Sequence, residues 1–128
     1  MKVEYIPGDL VRISFISNDK IFEIIEGGTV NPYIAKDLDG KEAILEEKDI
    51  IPIPLTPEIL EKNGWKKQKR GNGYVGFSFK RNKFPTIHFQ GIELLYVNVP
   101  SISSIFLRYV HDLQHLLFGL GLDSNIKL

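Results

Sequence analysis

Turn signals cut the first fifty or so residues into pieces too short for anything but strands. Gly8-Asp9, Ser17-Asn18-Asp19, Gly27-Gly28, Asp37-Leu38-Asp39-Gly40 and Lys48-Asp49 fall at intervals of about ten residues, a spacing that suits the strands and turns of a small all-β unit. Between them, Leu10–Ile16 alternates Val11, Ile13 and Phe15 with Leu10, Arg12 and Ser14. Ile21–Ile25, Thr29–Lys36 and Lys41–Glu46 supply further strands, and Pro32 marks the third as an edge or a bulge. One flat sheet cannot bury this many apolar positions, so a small barrel over residues 1–54 is expected.

The period then changes. Thr56 suits a helix N-cap, Pro57 the first helical position, and Glu58 and Glu61 the positive end of the helix dipole. Asn63-Gly64 ends this short helix. Lys66–Arg70, Tyr74–Lys80, Phe84–Gln90 and Ile92–Val99, separated by Gly-, Asn- or Lys-containing turns, read as a four-strand antiparallel meander. Ile102, Ile105, Phe106, Tyr109, Val110, Leu113, Leu116, Leu117 and Leu120 follow a 3.6-residue period, which predicts one long helix over Ser101–Leu120, with Asn125–Leu128 returning as an edge strand. The expected class is therefore α+β, mostly β: a barrel over 1–54, then a small α+β domain over 55–128 of short helix, meander and long amphipathic C-terminal helix.

Two resemblances join this reading. Gly8-Asp9-Leu10-Val11, Asp39-Gly40-Lys41 and Asp49-Ile50-Ile51-Pro52 resemble SH3-like barrels of the KOW type, which implies an interaction module for nucleic acid or protein. Pro52-Ile-Pro-Leu-Thr-Pro-Glu-Ile-Leu60 with Asn63-Gly64-Trp65, and Tyr109-Val110-His111-Asp112-Leu113-Gln114, resemble segments of a group of small uncharacterised bacterial proteins often carried on prophages and mobile elements. That resemblance implies a gene neighbourhood and an architecture, and no catalytic residue.

Charge supplies the functional lead. Met1–Glu61 carries 13 acidic and 6 basic side chains and Lys62–Leu128 carries 3 and 10, so halves of net −7 and +7 cancel in the whole chain. A one-signed surface steers oppositely charged molecules toward itself. The candidate nucleic-acid residues are Lys66, Lys67, Lys69, Arg70, Tyr74, Lys80, Arg81 and Lys83, which would combine phosphate contacts with base stacking on neighbouring aromatics. The competing reading buries Val75, Phe77 and Phe79 under the terminal helix and leaves the lysines as a rim that meets an acidic protein surface or the acidic half of a second copy. A protein partner or homo-oligomer heads the expectation, with nucleic acid as the alternative.

Catalytic chemistry finds little support. The chain has no cysteine, which excludes disulfides, thiolate metal sites and cysteine nucleophiles and fits a reducing, cytoplasmic setting. His111 and His115 lie one helical turn apart and form a weak metal candidate, the remote alternative being a metal-dependent enzyme, but a site needs a third ligand such as His88. Ser101, Ser103 and Ser104 suit capping before nucleophilic catalysis, and Asp37-Leu38-Asp39-Gly40 opens like a calcium loop whose twelfth position is Lys48. No catalytic residue, cofactor, membrane span or signal peptide is expected.

Overall fold

The structure, a computed structural model, describes residues 5–16, 20–27, 32–69, 77–90, 94–98 and 104–128. It is mostly β, with one short helix and a C-terminal helix. The chain divides into two compact units, Met1–Ile53 and Pro54–Leu128.

In the N-terminal unit, β1 (Leu10–Ile13), β2 (Phe22–Glu26), β3 (Tyr33–Lys36), β4 (Glu42–Leu45) and β5 (Ile50–Pro52) form one antiparallel sheet in the order β4-β3-β2-β1-β5. Alternation decides the faces. Val11, Ile13, Phe22, Ile24, Tyr33, Ala35, Leu45 and Ile50 are buried together, each fully buried large side chain contributing about 1.5–3 kcal/mol. A bulge between Ile24 and Glu26 interrupts the β2–β3 ladder, and a 3-10 turn, Glu47–Asp49, leads into β5. No closed barrel is found among the described residues.

Two loops are held by buried aspartates. Pro7 and Gly8 (φ 98°) occupy the centre of a turn closed from the Asp9 amide to the Ile6 carbonyl at 3.1 Å, the Pro-Gly arrangement of a type II turn. Asp9, buried, returns Oδ2 to the Ile6 amide at 2.9 Å. At the β3–β4 connection, Asp37 Oδ1 accepts from the Asp39 and Lys41 amides at 2.9 and 2.8 Å, and its Oδ2 lies 3.0 Å from Lys20 Nζ.

The C-terminal unit begins with α1 (Pro57–Lys62). Thr56 Oγ1 accepts from the Ile59 amide, and Gly64 takes φ 94° just past the end. The sheet that follows has five strands rather than four: β6 (Lys66–Lys69), β7 (Phe77–Lys80), β8 (Ile87–Gln90), β9 (Leu94–Asn98) and β10 (Ser104–Phe106), a continuous antiparallel meander. The long helix expected over Ser101–Leu120 is corrected accordingly. α2 spans Val110–Gly119, and 104–106 is a strand. Asp112 sets the start, because its Oδ2 accepts from the Tyr109 and Arg108 amides at 2.9 and 3.0 Å, satisfying donors that a continuing helix would have bonded itself. Val110, Leu113 and Leu117 form the buried stripe of α2, in a unit whose core also includes Leu60, Trp65, Phe79 and Ile87.

The expected C-terminal edge strand is replaced by another device. Asn63 donates Nδ2 to the Lys127 carbonyl at 2.8 Å and accepts from the Lys127 amide at 2.7 Å. Its side-chain amide thus imitates a strand partner, and Ile126 is buried beside it.

Candidate functional site

The register of the second sheet distributes the basic residues. Lys66 pairs with Lys80, Lys67 with Phe79, Gln68 with Ser78 and Lys69 with Phe77. Because side chains alternate along a strand, Lys66, Gln68, Ser78 and Lys80 share one face, while Lys67 emerges on the face of Phe79, which is fully buried. Lys66, Lys67 and Lys80 are exposed. Lys66 and Lys80 therefore share one face of the sheet, and Lys67 lies on the other. Arg70 and Tyr74 lie outside the described residues.

Arg81 is committed to structure. Its guanidinium carbon sits 3.8 Å from the Phe84 ring centroid and 5.0 Å from that of Trp65, a cation–π arrangement. Trp65 and Phe84 pack edge to face at 5.4 Å, and the Trp65 indole NH donates to the Pro85 carbonyl at 3.4 Å. Trp65 is only 1% exposed, so neither it nor Phe79 is presented as a stacking platform. Lys83, exposed, sits in the Arg81–Phe84 turn with φ 70°.

The face shared by Lys66 and Lys80 carries a row that sequence reasoning missed. Gln68 pairs with Ser78, Ser78 with His88, His88 with Tyr96, and Tyr96 with Phe106, one position from each of the five strands. The Ser78 hydroxyl lies 3.1 Å from His88 Nδ1, and Phe106 is 50% exposed. None of the five strands contains an aspartate or glutamate. The strands that bear this serine–histidine contact do not themselves supply the carboxylate that a hydrolytic triad adds to such a pair. The period-two pattern was visible in sequence, but the row needs the turn lengths that fix register.

His111 and His115 do sit together, their rings 5.5 Å apart and edge to face, with His111 stacked on Tyr109 at 5.6 Å. His111 is buried, and its Nε2 lies 3.8 Å from Asp112 Oδ1. Among the described residues no three His, Asp or Glu side chains gather as a metal site. The Asp37 carboxylate, which opens the calcium-like stretch, is spent on its own loop. The Lys41 amide, the Lys20 ammonium and the Asp39 amide hold its pKa below the ordinary 3.8, against the opposing effect of burial. No described helix is long and apolar enough to cross a membrane.

The N-terminal unit carries net charge −5 and the C-terminal unit +5. On the acidic unit Leu38, Ile44, Phe15 and Ile51 are 97, 72, 64 and 39% exposed. Ile44 lies on edge strand β4, in register with Ile34. Comparison with family models, curated proteins and solved structures returns no match.

Proposed function

We propose that the chain is a non-catalytic interaction protein that binds a protein partner or a second copy of itself, its N-terminal unit being a half-open SH3-like barrel. The strand order β4-β3-β2-β1-β5, the bulge in β2 and the 3-10 turn before β5 support the barrel. A mobile-element setting rests on the resemblance of Pro52–Leu60 with Asn63-Gly64-Trp65, and of Tyr109–Gln114, alone.

The observation that carries the binding reading is the exposed Ile44 on an edge strand of the acidic unit. Single exposed hydrophobics are ordinary. Here Ile44 projects from an edge strand, whose backbone groups are a template for a further strand. A basic partner suits the charge around it, and a second copy supplies one in its own C-terminal unit.

Sedimentation velocity tests self-association. At about 50 mM salt the wild type is expected to associate, and at about 500 mM salt to dissociate, since exposed charges more than a Debye length apart are then screened. Ile44→Lys is expected to stay monomeric throughout. A wild-type monomer at both salt concentrations overturns self-association.

A second reading, nucleic-acid binding by the basic hairpin, is favoured by the Lys66–Lys80 pair. Like charges directly opposite destabilise a strand pair, and a bound polyanion relieves the repulsion.

A further inference from the structure

The second sheet has two unlike faces. Phe79, Ile87 and Val97 are buried on one. The other carries Lys66 and Lys80 toward one edge and Phe106 at the far edge, with exposed Gln68, buried Ser78 and half-buried His88 along the row between. Four interstrand steps of about 4.8 Å separate the first and last strands, roughly 19 Å in all. Across that width the strands contribute two exposed cations, amide and hydroxyl groups, an imidazole fixed by Ser78, a half-exposed phenyl ring and no carboxylate.

We infer that this face binds single-stranded nucleic acid, with phosphates at the Lys66–Lys80 edge and a base stacked on Phe106. It rests on the second reading above and deepens it by moving the site from the hairpin tip to the sheet face. A stacked helix hides its base faces, whereas a single strand laid across five strands can offer a base to Phe106 while its backbone meets the lysines. An acidic protein would satisfy the lysines but would make no use of the half-exposed Phe106 ring on the same face.

Fluorescence anisotropy with a labelled oligo(dT) and a mixed-sequence duplex of equal length tests this. The single strand is expected to bind at least about tenfold tighter than the duplex. Phe106→Ala should weaken oligo(dT) binding about tenfold, the size of one lost base stack, without changing the salt dependence. Phe106→Tyr should bind as the wild type does. Lys66→Gln with Lys80→Gln should flatten the slope of log affinity against log salt by about 1.4, at roughly 0.7 per phosphate contact on a single strand. Emission from Trp65, the one tryptophan, confirms that each variant is folded. Equal affinity for duplex and single strand, with Phe106→Ala unchanged, overturns this inference and leaves the hairpin reading standing. Absence of any nucleic-acid binding at about 50 mM salt overturns both. Capture of polyglutamate but not of oligo(dT) makes the partner an acidic polypeptide and overturns it as well.

Discussion

Lys83→Gly is expected to stabilise the C-terminal unit. Lys83 is the one non-glycine residue with positive φ among those described, at 70°, in the turn closed by the 3.0 Å bond from the Phe84 amide to the Arg81 carbonyl. Holding an L-residue in this region costs about 1–2 kcal/mol, through the approach of Cβ to the following carbonyl oxygen. Glycine removes that contact but has more freedom to lose on folding, about 0.5–1 kcal/mol. Since the Lys83 side chain is exposed, little packing is forfeited. The net gain is about 0.5–1 kcal/mol, or a rise in Tm of about 2–8 °C for a unit of this size.

Trp65 provides the assay. It is the only tryptophan, it lies buried in the C-terminal unit, and its ring packs on Phe84, the residue that closes the turn. Urea unfolding followed by its emission therefore reports this unit, and a shift in midpoint at constant m isolates stability. Lys83→Asn should be at least as stable as the wild type, since asparagine tolerates the left-handed region. Lys83→Val should lose more than about 1 kcal/mol, because a β-branched residue fits it worst. A glycine variant less stable than the wild type, or a valine variant equal to it, refutes the strain argument.

Two further predictions concern the N-terminal unit. Gly27→Ala should cost at least about 2 kcal/mol, read as a loss of far-UV ellipticity at a lower urea concentration, because φ is 108° and a Cβ would lie 2.2 Å from the Pro32 carbonyl oxygen. Asp37 has a folded pKa below its ordinary 3.8. Its contribution to stability is therefore present above that value and lost as pH falls through the lower, folded value. The Asp39 and Lys41 amide resonances should titrate together below pH 3.8, and the stability difference between wild type and Asp37→Asn should shrink over the same interval. A midpoint above 3.8 would remove the basis for this prediction.

Local chemistry was legible wherever one residue acts on its own neighbours. Thr56, Pro57 and Gly64 bound α1 as their types demand, and Asp37-Leu38-Asp39-Gly40 turns on its own carboxylate. The error at α2 came from weighing periodicity above capping. Ile102, Ile105 and Phe106 fit a 3.6-residue period, yet Ile105 and Phe106 also fit a strand, and Asp112 at the third helical position was the signal that the helix begins at Val110. The Ser78–His88 contact and the Asn63–Lys127 pairing join residues 10 and 64 positions apart. No local pattern encodes such contacts, because register is set by the length and shape of the intervening turns.

Charge was legible in amount and misleading in arrangement. A run of lysines along a strand alternates between faces, so Lys66 and Lys67 point to opposite sides of β6, and Arg81 is held by two aromatic rings. The seven cations among those candidates, acting together on a single strand, would give a salt slope of about −5 at roughly −0.7 each, whereas Lys66 and Lys80 alone give about −1.4. The sheet-face site therefore predicts a measured slope for oligo(dT) no steeper than about −2, with Lys67→Gln leaving it unchanged. A slope near −5, or one that flattens on Lys67→Gln as much as on Lys66→Gln, would mean that the phosphates follow the sequence run around both sides of the edge strand and not the face bearing Phe106.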